Sequence, residues 1–498
     1  MLGDLAGGLA LFLHAETFLA IAAGVLIGLV VGAIPGLSAV MGVALVLPFT
    51  FHLDPVTSIL LLVGIYKGGV LGGSISAILI RTPGTPAAAC TTLDGYPMTV
   101  RGEASRALMA ALYASCAADV VSNLALVLFA GLLASLALGF GPPEFLWLIA
   151  FSLTIVVAIA SRSMVKGLIS ALLGVLFSVV GLDLVYGTER FTFGDFDLMG
   201  GIGFIPMLVG LFALPQIVEF YAAPRAAGQV RGRDSSRFTG ADLRRCWPTI
   251  LRGSLIGVVV GAVPGAGATA AAFLSYGLAK RFSKRGAGFG KGEVEGVCAA
   301  EAGNNGVAGA TLIPLLALGV PGDVVTAVIL GAFTIHNLAP GPLLFQSEGA
   351  LISALFLGIL FSSLVLFVAG RFVMLSFARV VRVPGAILMP LVFLFCLFGS
   401  YAVANNLFDV GVMLFFGLVG TLFQRAGLAV APFILAFILA PRFEDNLRRT
   451  LLIGDDWTVF FRSPICWVFI LLFLGSLAWS IRAELRGAPV PAASDGSS

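Results

Sequence analysis

Charged side chains are scarce in this chain of 498 residues: Asp, Glu, Lys and Arg together make up 11%, against roughly 25% in an ordinary soluble domain. That shortage excludes a soluble globule. The net charge is +3 and the 29 Lys and Arg residues are spread among loops, so the electrostatic footprint of a nucleic-acid binder is missing. The six cysteines (Cys90, Cys116, Cys246, Cys298, Cys396 and Cys466) are separated by at least 26 positions and form no CxxC pair. Zinc and haem therefore have no motif to occupy, and the three histidines, His14, His52 and His336, are too few for a His-rich metal site. A membrane-embedded protease would need a catalytic pair, yet the acidic residues fall mainly in loops and no serine motif accompanies a histidine. No enzyme and no cofactor are expected.

What the sequence has instead is apolar length. Hydrophobic residues make up 59% and the mean hydropathy is +1.05, enough for about 12 crossings at roughly 20 residues each. The apolar runs are continuous and not alternating, which favours helices over a β-barrel in lipid. The expected fold class is an all-α polytopic membrane protein of about 12 transmembrane or re-entrant helical segments. Glycine is abundant at 62 residues. Scattered ones such as Gly131, Gly174 and Gly411 are expected to serve helix packing, whereas those next to proline mark breaks.

Charge sets the orientation. No Lys or Arg precedes Lys67, so the first apolar stretch lacks the basic flank of a cleavable signal, and the N-terminus is expected to be retained and non-cytoplasmic. Arg225, Arg231, Arg233, Arg237, Arg244, Arg245 and Arg252 mark one cytoplasmic loop, and Lys280, Arg281, Lys284, Arg285 and Lys291 the next, by the positive-inside rule. The loop with Asp183, Glu189, Asp195 and Asp197 should face the opposite side.

The chain repeats itself. GVLIGLVVGAIPG (Gly24 to Gly36) and GSLIGVVVGAVPG (Gly253 to Gly265) share ten of thirteen residues at an offset of 229, and a weaker likeness pairs Gly72–Pro86 with Gly306–Asp323. The connection after the first copy, His52 to Pro55, has no basic residue, while the one after the second carries five. The copies are thus expected to be inverted, with residues 1–221 as the first membrane repeat, 222–248 as a basic cytoplasmic linker, 249–483 as the second repeat and 484–498 as a polar tail. Inverted repeats with broken helices are the architecture of secondary transporters, whose ligands bind where the breaks meet.

The breaks supply the candidate residues. In AIPGLS, Pro35 and Gly36 stop a helix ahead of Ser38, and AVPGAGAT does the same with Pro264, Gly265, Gly267 and Thr269. Exposed amides at such tips suit an anion. The segment Tyr66 to Met98 adds Ser74, Ser76, Arg81, Thr82, Gly84 and Thr85, hydroxyls and freed carbonyls that lipid would not tolerate. All of these are candidate substrate contacts, Arg81 as a fork for a carboxylate or as a side chain snorkelling to the interface; Lys67 carries the same two readings. Coupling cations are assigned to Ser74, Ser76, Thr82, Thr85, Asn304, Asn305, Thr311 and Asp323, oxygen donors around the two long breaks. Asn304 and Asn305 have interhelical hydrogen bonding as the competing role, and Asp323 that of an N-cap. With no obvious carboxylate at membrane depth, Na⁺ is expected over H⁺; Asp94, Asp323 and His336 are the fallback proton sites.

These segments resemble the large membrane subunit of the tripartite tricarboxylate transporters, the TctA family. The resemblance lies in Gly32–Phe51, Gly72–Met98, Gly181–Gly194, Phe289–Asp323 and His336–Phe345. It implies a permease of the bacterial inner membrane that works with a small TctB-like membrane subunit and a periplasmic TctC-like solute-binding protein. The family's cargo is citrate, tartrate or another organic acid, carried by symport on an ion gradient, usually Na⁺. Lys67 and Arg81 depart from the family's pattern. A standalone or proton-coupled organic-anion carrier is the alternative, with a channel further off.

Overall fold

The computed structural model describes residues 2–34, 37–160, 163–183, 186–222, 236–380, 385–453 and 456–485. Pro35, Gly36, Arg225, Arg231, Arg233 and the tail beyond 485 lie outside the described residues. The first half runs through α1 (Leu2–Phe12), α2 (Ala15–Ala33), α3 (Ala39–Val46), α4 (Pro55–Ile80), α5 (Ala88–Val100), α6 (Ala104–Ala137), α7 (Pro142–Ala160) and α8 (Met164–Ser178). A two-residue antiparallel pair, β1 (Gly181–Leu182) with β2 (Glu189–Arg190), then leads through α9 (Phe196–Met199) to α10 (Phe204–Ala222). The second half contains α11 (Gly240–Gly261), α12 (Gly267–Phe282), α13 (Val294–Ala310), α14 (Leu312–Leu318), α15 (Val324–Ile335) and α16 (Leu344–Ser347). It closes with α17 (Gly349–Val380), α18 (Gly385–Ala404), α19 (Leu407–Ala426), α20 (Val430–Ile453) and α21 (Pro464–Leu485).

Eight of the described helices are long and apolar enough to cross a membrane, which makes this an all-α, multi-pass membrane protein. One of them is unlike the rest. The apolar window of α4 is 94% buried inside the protein, against 39% for α2, as a helix that is apolar on every side must be. Asp54 starts it, accepting the Thr57 N–H at 3.0 Å, with Pro55 at the position where a missing N–H costs nothing. Arg81 ends it in the left-handed region at φ 60°, and the following Thr82-Pro83 pair keeps the chain from resuming the helix.

The repeated glycines are what let the helices come together. A side-chain carbon on Gly24, Gly28 or Gly32 of α2 would fall on backbone atoms of Leu61, Ile65 or Gly69 of α4, so only hydrogen fits at that crossing. Gly257 and Gly261 of α11 face Gly303, Gly306 and Val307 of α13 in the same way. Such stripes substitute close backbone contact for the hydrophobic driving force that lipid removes. The scattered glycines divide: Gly174 of α8 abuts Phe433 of α20, as expected, but Gly131 and Gly411 have nothing within 4 Å and are not packing residues.

The largest apolar cluster gathers Val43 of α3, Leu60 of α4, Met207 of α10, Val328 of α15 and Leu355 of α17. Around it, α7 and α8 pack on α20 while α18 and α19 pack on α10, so each half embraces a helix of the other. Two ends are stapled by charge. Arg190 of β2 pairs with Asp183 and with Glu444 of α20 at 2.9 Å, and Arg448 joins Asp183 at 2.8 Å. At another end Arg106 of α6 binds Asp242 at 2.6 Å. Asp242 closes a capping box with Thr239 at the start of α11, so the segment expected as a linker through residue 248 is already helix from Gly240. Arg244, Arg245 and Arg252 are helical residues, not loop residues.

Candidate functional site

The second break and the second Pro-Gly tip meet. The N–H of Gly265 donates to the carbonyl of Gly322 at 2.7 Å. Gly265 sits at φ +81° with Val156 of α7 where a side chain would go, and Gly267 follows at φ +70° with nothing within 4 Å; both positions call for glycine. Beside them opens a cavity of about 230 Å³ lined by Pro86, Gly265, Gly267, Thr269 and Asp323, with Leu435 of α20 across from the tip. One residue of the first half's break thus shares a cavity with the break and the tip of the second half.

The donors at this cavity are backbone amides. Ala266, the N-cap of α12, makes no side-chain cap, so among the described residues the first-turn N–H groups of this sixteen-residue helix have no side-chain acceptor, and the Thr269 hydroxyl lies among them. The first tip differs. Ser38 caps α3 by accepting the Met41 N–H at 3.3 Å and also accepts Nε2 of Gln216 at 3.1 Å. Asp323 is the N-cap of α15: its Oδ1 accepts the Thr326 N–H at 2.8 Å, and its Oδ2 accepts the hydroxyl of the buried Tyr66 at 2.6 Å.

The sequence model of the tripartite tricarboxylate transporter TctA family matches residues 18–435. The chain belongs to this family. It is 35% identical over 466 residues, 93% of each chain, to a protein of Agrobacterium vitis described as "Uncharacterized 52.8 kDa protein in TAR-I ttuC' 3'region". It is also 36% identical over 214 residues, 43% of this chain and 87% of the other, to "Uncharacterized protein in TAR-II ttuC' 3'region" of the same organism. No solved structure matches it.

In this TctA-family protein the hydroxyls of the first break are spent close to home. Ser74 donates to Leu71 O at 2.7 Å, Ser76 to Gly73 O and Thr82 to Ile80 O, each at 3.4 Å. Thr85 accepts the Ala88 N–H at 3.3 Å, and Thr311 donates to Ala308 O at 3.1 Å. Gly84 is pressed between Gly32 and Gly73, its N–H on Gly73 O at 3.3 Å. Pro264 is buried beneath the second tip. Arg81 is exposed and lies over the ring of Tyr96, 5.9 Å from its centroid, not beside the cavity. Lys67 does not snorkel to an interface: it is 1% exposed and donates to Asp119 of α6 at 3.1 Å and to Ile359 O and Ser362 of α17, each at 2.8 Å.

Of the fallback acids, Asp94 is fully engaged, accepting N–H groups from Gly290, Gly292 and Glu293 and the hydroxyl of Tyr276. His336 is the C-cap residue of α15, its Nε2 2.9 Å from the Ser58 hydroxyl.

Two side chains that sequence reasoning passed over are carboxylates. Glu301 of α13 is 0% exposed, and Asp119, midway along the candidate membrane span α6, is 1% exposed. Each was signalled by an Asn four residues later, Asn305 and Asn123, on the same face of an apolar helix. Asn305 donates to Ser115 at 2.8 Å and to Glu301 at 3.2 Å. Asn304, equally buried, has no hydrogen-bond partner among the described residues on either its nitrogen or its oxygen.

Proposed function

We propose that this protein is the permease of a secondary active importer that takes a carboxylate, a tricarboxylate or another organic acid, from a periplasmic binding protein and carries it across the bacterial inner membrane on a cation gradient, Na⁺ before H⁺. A small membrane subunit completes the complex. The observation that carries this reading is the cavity at the second tip. Uncapped amides of α12 and the Thr269 hydroxyl offer donors to carboxylate oxygens, in a pocket walled by both breaks and by α20 of the surrounding bundle. Gly267, with no side chain, leaves that approach open. The buried carboxylate Glu301 gives H⁺ coupling a footing it lacks in the sequence alone.

Transport by such a site requires it to face each side in turn, and an inverted pair of repeats supplies that motion. Support for the repeat comes from three places. Gly24, Gly28 and Gly32 recur as Gly253, Gly257 and Gly261. Pro83-Gly84 and Pro321-Gly322 stand at an offset of 238, and Gly84 lies against Gly73 as Gly322 lies against Thr311, at the same offset. The peripheral helices also swap partners, α8 with α20 and α19 with α10. Cysteines introduced at His52 and at Lys284, the exposed ends of the two hairpins, should react with an impermeant thiol reagent from opposite faces of the membrane. The six native cysteines are buried and stay silent. Labelling of both positions from one face would refute the inversion.

Function itself is tested by uptake of labelled carboxylates into proteoliposomes holding both membrane subunits, with and without the binding protein. Uptake should need the binding protein and be refused to neutral solutes of similar size. Uptake of equal rate without it would favour a standalone carrier.

A further inference from the structure

Two of the protein's buried carboxylates, Asp119 and Glu301, are equipped differently. Asp119 is matched by a fixed ammonium, Lys67, at 3.1 Å. Glu301 is met by neutral donors alone: the Thr91 hydroxyl of α5, the Ser115 hydroxyl of α6 at 3.0 Å and the Asn305 amide at 3.2 Å. Among the described residues it forms no ion pair, and the titratable group facing it is the Cys90 thiol of α5. An ionised carboxylate enclosed this way is costly unless a counter-charge arrives. One position before Asn305, and three after Glu301 on the same helix face, Asn304 presents an amide with no partner at either end among the described residues, although it is 1% exposed. A buried amide with both ends unmatched is also costly. The acid asks for a counter-charge, and among the described residues the Asn304 amide oxygen on the same helix face is free to help hold it.

The repeat sharpens this. At the offset of 238 that aligns the two Pro-Gly breaks, Lys67 falls on Asn305 and Tyr66 on Asn304. Where the first half has a tethered cation, the second half has a neutral amide next to an uncompensated acid. We propose that Glu301 is the coupling site, its charge balanced by an exchangeable monovalent cation, Na⁺ or H⁺, held with Thr91 and Asn304. A proton would convert the carboxylate to an acid whose O–H turns to the Thr91 oxygen. A sodium ion would take oxygens from Glu301, Thr91 and Asn304. At the position aligned with Asn305, beside that site, the first half carries Lys67 fixed on Asp119, so that half contributes no exchangeable charge.

This inference rests on the transport reading, and the experiment separates the two. The complete complex is reconstituted, and labelled carboxylate is followed in two modes: accumulation under an imposed Na⁺ gradient at fixed pH or an imposed pH gradient without Na⁺, and exchange between labelled and unlabelled substrate with no gradient. Wild type accumulates under one gradient, which identifies the cation. Glu301→Gln, the neutral isostere, should lose that accumulation, its internal concentration falling to the external one, while exchange persists at reduced rate. Glu301→Asp, which withdraws the charge by one methylene, should accumulate with a higher cation concentration for half-maximal uptake, and it carries the test if the Gln variant is not inserted. Glu301→Gln that accumulates with wild-type cation dependence overturns the inference and leaves the transport reading standing. So does equal loss of exchange and accumulation from protein that is folded and inserted. Wild type that moves no carboxylate in either mode overturns both.

Discussion

Gly28→Leu should remove most of the protein from the membrane, and the fraction that remains should melt well below wild type. A side chain at Gly28 runs into the backbone of α4, with the Ile65 carbonyl and the Gly69 N–H in its place. Overpacking an ordinary core costs about 1–3 kcal/mol because side chains can shift. Here the obstacle is main chain of a helix almost wholly enclosed by the protein, so α2 and α4 must separate along their length. The cost then exceeds the ordinary range, and neighbouring contacts at Gly24, Gly32, Gly68 and Gly72 are lost with it. Gly131→Leu is the control: with nothing within 4 Å of that position, expression and melting should match wild type. The measurement is membrane abundance together with the detergent melting temperature. Normal insertion of Gly28→Leu would mean that the α2–α4 crossing is not what holds the first half together.

Lys67→Met should cost about 3–5 kcal/mol, the usual penalty for leaving a buried charge without its partner. Asp119 would keep Asn123 at 3.1 Å and Ser363 at 2.6 Å, but neutral donors do not replace an ammonium in a site closed to water. Asp119→Asn should be similarly harmful, since it strands the ammonium against Ile359 O and Ser362. The double variant Lys67→Met with Asp119→Asn should recover much of the loss, because neither charge is then present to be desolvated. A double-mutant cycle on melting, with coupling well beyond 0.5 kcal/mol expected for groups in direct contact, is the check. Additive losses would mean that Lys67 and Asp119 do not share one network in the membrane.

The class of fold could be read from the chain because it rests on local pattern. Apolar length and the recurrence of GxxxG ahead of Pro-Gly need no knowledge of distant contacts. The cavity was partly legible: Gly265, Gly267 and Thr269 belong to a visible motif, whereas Leu435 and Ile159 reach it from helices that carry no mark of their own. Lys67 misled because a lone cation in an apolar helix has two common fates, interface or ligand, and its actual partner lies 52 positions away. Glu301 was overlooked for a related reason. It heads the segment that stands out for its paired asparagines, and only the position of α13 in the bundle reveals how fully it is enclosed. The short α1 was not anticipated either, since its apolar length is too small to stand out as a crossing.

The central claim is that this TctA-family protein couples carboxylate entry to a cation gradient. It is tested most directly by the internal concentration of labelled tricarboxylate in sealed proteoliposomes, with both membrane subunits and the binding protein present and no ATP. Imposing an inward Na⁺ gradient at constant pH, or failing that an inward proton gradient without Na⁺, should raise the internal concentration above the external one, and collapsing the gradient should release the excess. Internal and external concentrations that become equal and stay equal, whichever gradient is imposed, would contradict it.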